Sequence, residues 1–168
     1  MPQILLKRTN TQNPPTGLAA GEAAWSENGF LYMGRADGSV VPIAQVSGLL
    51  RVASEVLFAG ALVNMWNNNG TESVRLANAN TGHSAHGYVL GAVAAGASTF
   101  VVTTYGGINR QARAPGGAAL VTGEYALSGD AGRIVPIANA PPSSLIYQQV
   151  GMVSGADLVF NPGMVIWR

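Results

Sequence analysis

A chain of 168 residues with a formal net charge of +1, only 10% charged side chains and no cysteine excludes several classes at once. It has no basic field for nucleic acid or lipid headgroups and no thiol for catalysis, metal binding or disulfides. It also has no apolar run long enough for a bilayer, Gly91 to Val102 being broken by Gly96, Ser98 and Thr99.

Soluble domains carry about a quarter charged residues. A surface this poor in charge therefore predicts cover from further copies of the chain or from a larger assembly. The 22 glycines and nine prolines are spread throughout and read as turns.

Met1 to Arg8 lacks the long apolar core of a signal peptide, which predicts a protein held in a cytoplasm until assembly. Within it, Ile4 to Arg8 predicts a first strand, or an arm that adds a strand to a neighbouring subunit. A Pro14-Pro15 loop follows. Gly17 to Gly34 then reads as two short strands hinged on Asn28-Gly29, and Asp37-Gly38 turns the chain into a third strand, Val40 to Ile43. Gln45 to Val56 reads as a linker or an irregular strand, because Gly48 and the β-branched valines disfavour a helix. The expected division is an arm and β-meander module over 1–45, a linker over 46–57 and a main domain over 58–168.

The main domain opens with Ala61 to Trp66, an Asn67-Asn68-Asn69-Gly70 turn and a return strand, Thr71 to Leu76. A polar loop, Asn80 to His86, precedes a pair, Tyr88 to Val93 and Ser98 to Tyr105, around Ala95-Gly96. Ala118 to Leu127 turns at Thr122-Gly123. Arg133 to Ile137, Tyr147 to Val153, Asp157 to Phe160 and Met164 to Trp167 complete the set. Turn signals about every ten residues predict a sandwich or barrel. The expected fold class is all-β, a small N-terminal β-meander plus a compact antiparallel β-sandwich or barrel-like domain.

The run Leu18-Ala19-Ala20-Gly21-Glu22-Ala23-Ala24, a turn and then Leu31-Tyr32-Met33-Gly34 resembles the N-terminal segment by which many tailed-bacteriophage fibre and appendage proteins join the virion. The resemblance covers residues 16 to 43. Residues 58 to 105 resemble a C-terminal domain of phage tail-fibre and other virion proteins. They are also similar, more loosely, to the β-rich head-decoration proteins of lambdoid phages, which are shorter and lack the meander. These resemblances imply a non-enzymatic virion structural protein, assembled in the host cytoplasm as a homotrimer. Its partner would be the coat protein or a tail or baseplate protein. The leading expectation is a capsid decoration (cement) protein; the alternative is a tail-fibre or baseplate appendage that binds a host receptor.

Candidate chemistry is sparse. His83 and His86, the only histidines, have metal-pair spacing, but flanking glycines and the lack of a carboxylate within ten residues favour a polar loop. Glu22 and Glu27 flank Trp25, yet a glycosidase needs a cleft between two carboxylates. A turn role, with Glu22 accepting backbone N–H groups, suits that residue better. Asp130 reads the same way, and Ser128, lacking a Gly-x-Ser-x-Gly context, gives no support for a serine hydrolase. Trp66 beside the asparagine run gives a third reading, a carbohydrate-binding module, which predicts an exposed Trp66; the structural readings predict it buried at a contact. No catalytic, cofactor or metal residue is assigned. The residues expected at interfaces are Ile4, Leu5, Leu6, Trp25, Phe30, Tyr32, Trp66 and Trp167.

Overall fold

The computed structural model describes residues 6–8, 16–25, 30–45 and 48–168. The chain divides into two compact units, Met1–Gly48 and Leu49–Arg168. The described residues contain strands, turns and three short 3-10 segments but no α-helix, so the protein is all-β.

The smaller unit is a four-stranded sheet in the order β1-β2-β3-β4. Its strands are β1 (Leu6–Arg8), β2 (Ala23–Trp25), β3 (Phe30–Gly34) and β4 (Val40–Gln45). The last three form the expected antiparallel meander. β1 runs parallel to β2, with Leu6 opposite Ala23. The residues read as a possible subunit-bridging arm thus pair within their own sheet, where they satisfy an edge of β2. Ile4, Leu5, Glu27 and the Asn28-Gly29 turn lie outside the described residues, as do the side chains of Leu6, Trp25 and Phe30.

Local chemistry explains this unit's sequence pattern. Asp37 Oδ1 accepts from the Ser39 N–H at 2.8 Å and the Ser39 hydroxyl at 2.6 Å, closing the β3–β4 turn. Those bonds, the hydroxyl's first, hold the Asp37 carboxyl below its ordinary 3.8. Glu22 Oε2 accepts from the Ala19 N–H at 2.9 Å, the turn-ordering role expected of it. Gly34 packs directly on this turn: a Cβ there would lie 2.2 Å from the Ala19 carbonyl oxygen. The Gly-Glu pair and the glycine closing Leu-Tyr-x-Gly are therefore two halves of one contact. Tyr32, expected at an interface, is instead buried with Leu18 and Ala24 in the unit's own core, because it shares their side of the sheet.

The larger unit begins with a closed barrel in the order β5-β7-β6-β8-β9. Its strands are β5 (Gly48–Ala53), β6 (Leu62–Asn68), β7 (Thr71–Leu76), β8 (Gly87–Val89) and β9 (Ser98–Val102). Ala53, Leu57, Ala61, Val63, Val74, Val89 and Val101 fill it, all fully buried. The 46–57 stretch read as a linker is thus part of the barrel: β5 pairs in parallel with β7, Val52 opposite Ser73, and Ala53 and Leu57 reach the core. The β6–β7 hairpin turns at Asn69 and Gly70, both with positive φ (50° and 89°), as a two-residue Asn-Gly turn requires.

A five-stranded antiparallel sheet follows, in the order β10-β15-β14-β11-β12. Its strands are β10 (Gly107–Asn109), β11 (Gly123–Leu127), β12 (Ile134–Pro136), β14 (Gln149–Ser154) and β15 (Asp157–Phe160). A two-stranded ribbon joins β13 (Ile146–Tyr147) to β16 (Ile166–Trp167). Trp167 is 70% exposed, so it anchors no core; its indole lies near Gly82. Several expected strands are shorter than their apolar runs: of Tyr88 to Val93 only Tyr88 and Val89 lie in a strand, with Val93 in an isolated bridge to Leu57, of Ala118 to Leu127 only 123–127 do, and β10 was not expected at all. Barrel and sheet are joined by backbone bonds, Leu62 N–H to the Gly132 carbonyl at 3.0 Å and Ala79 N–H to the Ser128 carbonyl at 3.0 Å.

Candidate functional site

Alternation along β6 sends Val63 and Met65 toward the barrel core and leaves Asn64, Trp66 and Asn68 on the outer face. β7 contributes Ser73 opposite Trp66 and Arg75 opposite Asn64. Arg75 is therefore the diagonal neighbour of Trp66, and its guanidinium lies 4.5 Å from the centroid of the indole. Its Nε donates to Asn64 Oδ1 at 3.0 Å, while the Asn64 amide donates to the Ser84 carbonyl at 2.9 Å. One end of the arginine is thus fixed by stacking and hydrogen bonding.

This face is the floor of an open cleft of about 410 Å³. Around it the cleft is lined by Ser54 and Glu55, just beyond β5, and by Asn78, Thr81 and His83 around the 3-10 turn Ala79–Thr81. Glu55 Oε1 accepts from the Leu76 N–H at 2.7 Å, which ties Glu55 to β7. Asn78 caps the 3-10 turn by accepting from the Asn80 N–H at 2.8 Å. His83 Nδ1 lies 3.1 Å from the Thr81 hydroxyl. Partial burial, reinforced by the Arg75 charge and opposed by Glu55, lowers the His83 pKa below 6.5. The Trp66 indole N–H is buried and meets no acceptor among the described residues.

The two histidines do different work. Met65 N–H donates to His86 Nδ1 at 3.0 Å, which leaves Nε2 to carry the proton toward the Ser84 hydroxyl at 2.9 Å. Both nitrogens of His86 are thereby engaged, and the ring braces the 82–86 loop against β6. Gln148, itself buried, grips the same loop: its amide accepts from Ala85 N–H at 2.7 Å and donates to Ala85 C=O at 3.0 Å. Among the described residues no three His, Cys, Asp or Glu side chains gather as metal ligands would.

His86 makes the loop sensitive to acid. His86 keeps access to solvent, yet desolvation of its ring against β6 lowers its pKa below 6.5. Protonating Nδ1 would set two N–H donors against each other. The unfolded chain binds this proton more readily than the folded one, so stability falls as pH drops below about 6.5 and levels off once folded His86 is charged. Thermal unfolding of the protein between about pH 7.5 and pH 5 is expected to show this decline. In His86→Asn, whose Oδ1 can accept from Met65 N–H without titrating, the slope is expected to flatten; equal slopes would refute the assignment.

The sequence singled out Trp66 for a subunit contact or a sugar platform, and the structure places it in the lining of this cleft. Trp66 is half-buried with Arg75 across one ring face, neither the exposed platform of the carbohydrate reading nor a residue sealed in a contact. Of the asparagine run, Asn67 accepts from Gly70 N–H at 2.6 Å and Asn69 makes the turn, leaving Asn68 for the cleft. Arg75, Glu55, Asn78 and Thr81 were not anticipated. The Arg75 position was recoverable: a two-residue turn after Asn68 sets the register that puts it diagonal to Trp66. Ser128 is buried and its hydroxyl accepts from Asp130 N–H at 2.9 Å, a turn role.

No protein-family model matches the chain, and no curated protein or solved structure matches it either. The cleft has to be read from its own geometry.

Proposed function

We propose that the chain is a non-enzymatic structural protein of a tailed-phage virion, placed in a tail-fibre or baseplate appendage, where its larger unit meets a host receptor. The virion assignment is supported by the Gly21-Glu22 and Leu31-Tyr32-Met33-Gly34 pattern, which resembles fibre attachment segments and forms one compact turn-on-strand contact. The appendage reading is carried by one observation: the outer face of β6–β7 is an open polar cleft with a stacked, oriented arginine. Its side chains are arranged as hydrogen-bond donors and acceptors, which suits recognition.

A second reading, a capsid decoration protein bridging coat subunits in a homotrimer, is favoured by large apolar side chains at the surface. Val56, Val121, Met164 and Trp167 are each more than 60% exposed. Immunogold labelling of intact particles, paired with particles lacking the gene, separates the two. Label on the tail, with intact heads and failed adsorption in the deletion, is the expected result. Label over the whole head, with heat-fragile capsids in the deletion, would overturn it in favour of decoration.

A further inference from the structure

The cleft's unpaired polar groups define what it would hold. With Nε bound to Asn64 and its plane against Trp66, Arg75 leaves both terminal nitrogens without an acceptor among the described residues. That is a rigid two-pronged donor whose rotational freedom is already largely spent. Asn68 has no side-chain partner among the described residues, and Asn78 uses only its oxygen, leaving its NH₂ available. Glu55, also in the lining, engages one carboxylate oxygen and keeps the other as an acceptor.

Charge narrows the ligand class. Arg75 and Glu55 line the same cleft with opposite signs, and His83 is held toward its neutral form. The cleft therefore offers both donors and acceptors, and the Arg75 and Glu55 charges leave no net field for an anion. Hydroxyl groups, each both donor and acceptor, answer that pattern, and an open volume of about 410 Å³ accommodates one or two sugar rings. Trp66, also in the lining, supplies apolar surface for C–H groups.

We infer that the cleft binds a neutral saccharide, with the Arg75 fork donating to two adjacent hydroxyls, Asn68 and Asn78 donating beside it and Glu55 accepting from a third. The inference rests on the appendage reading for its biological meaning, a sugar on the host surface being the receptor, but not for its test.

Titration of the full ¹⁵N-labelled chain with methyl glycosides of glucose, galactose and mannose and with N-acetylglucosamine, alongside glucuronate, tests it. At least one neutral sugar is expected to shift the Trp66 indole and Asn68 amide signals with a Kd of about 1 mM. Arg75→Lys, which keeps the charge but loses the fork, and Asn68→Ala, at a partly exposed site, are each expected to weaken binding about tenfold or more with the signals of residues remote from the cleft unchanged. No shift with any neutral sugar, unaltered binding in both variants, or binding of glucuronate alone would each overturn the inference. Tail location without sugar binding refutes this site and leaves the appendage reading standing; sugar binding by a head-located protein does the reverse.

Discussion

Replacing Phe160 by alanine is expected to cost about 3–5 kcal/mol of unfolding free energy, a large share of the total for a domain of this kind. The ring is fully buried at the end of β15 and meets Tyr88 of β8 edge-to-face, with centroids 5.7 Å apart. It is thus one of the side chains that couple the five-stranded sheet to the barrel. Its direct strand neighbours are both glycine, Gly107 on β10 and Gly151 on β14. No adjacent side chain on those strands can collapse into the space the ring leaves, which puts the cost at the upper end for such a truncation. Ile108→Ala, on the same β10 but 48% exposed, is the control and is expected to change stability by about 0.5 kcal/mol or less. Denaturant unfolding of the full chain measures both. A Phe160→Ala loss near that of the control would show that the ring does not couple the two layers.

Gly60→Ala is expected to be comparably damaging, by about 3 kcal/mol or more, through the backbone and not through a cavity. Gly60 has φ +78°, and a Cβ on it would lie 2.1 Å from the Gln111 carbonyl oxygen and 2.3 Å from its carbon. Those atoms cannot swing aside as a side chain would. The approach is also held on the other side: the buried Asn109 amide donates to the Gly60 carbonyl at 2.9 Å, and Gly60 N–H donates to the Val89 carbonyl at 2.9 Å. Gly155 separates the two costs. It has φ +65° in the β14–β15 turn, and a methyl group there would meet nothing within 4 Å. Gly155→Ala therefore bears only the conformational strain, about 1 kcal/mol. If the two alanine variants melt together, the close approach at Gly60 is not what the barrel depends on.

Where the sequence was legible, the responsible groups stand within a few residues of one another. Asn69-Gly70 fixes a two-residue turn by its positive φ angles, and the register of β6 and β7 follows from it. Asp37 with Ser39, and Glu22 with Ala19, close turns over two and three residues. Strand alternation then sorts Val63 from Trp66 across the β6 ribbon. The cleft was half legible for the same reason. Trp66 and its asparagines could be noticed, and the hairpin register places Arg75, but the walls come from segments that approach only after folding.

Where the reading failed, the deciding contact is distant. Gly48 to Ala53 has no clean alternation and looked like a linker; it is a strand because β7, some twenty residues on, offers it a parallel edge and the barrel a place for Ala53. Tyr32 looked like an interface residue because an aromatic in a short strand gives no sign of which face it takes; Leu18 and Ala24 bury it within its own sheet. The apolar run beyond Val89 leaves the ladder with β6 and β9, and Val93 pairs instead with Leu57, 36 residues back, in an isolated bridge.

Composition and turn residues thus suffice for an all-β chain with its hairpins in register, because those depend on φ preferences and hydrogen bonds that close over two to four positions. Strand order, barrel closure and the cleft depend on contacts such as Ala85 with Gln148, 63 residues apart, and Asn109 with Gly60, 49 apart. Such a contact must repay the entropy of closing its loop from the burial of the whole core. No local pattern encodes that sum.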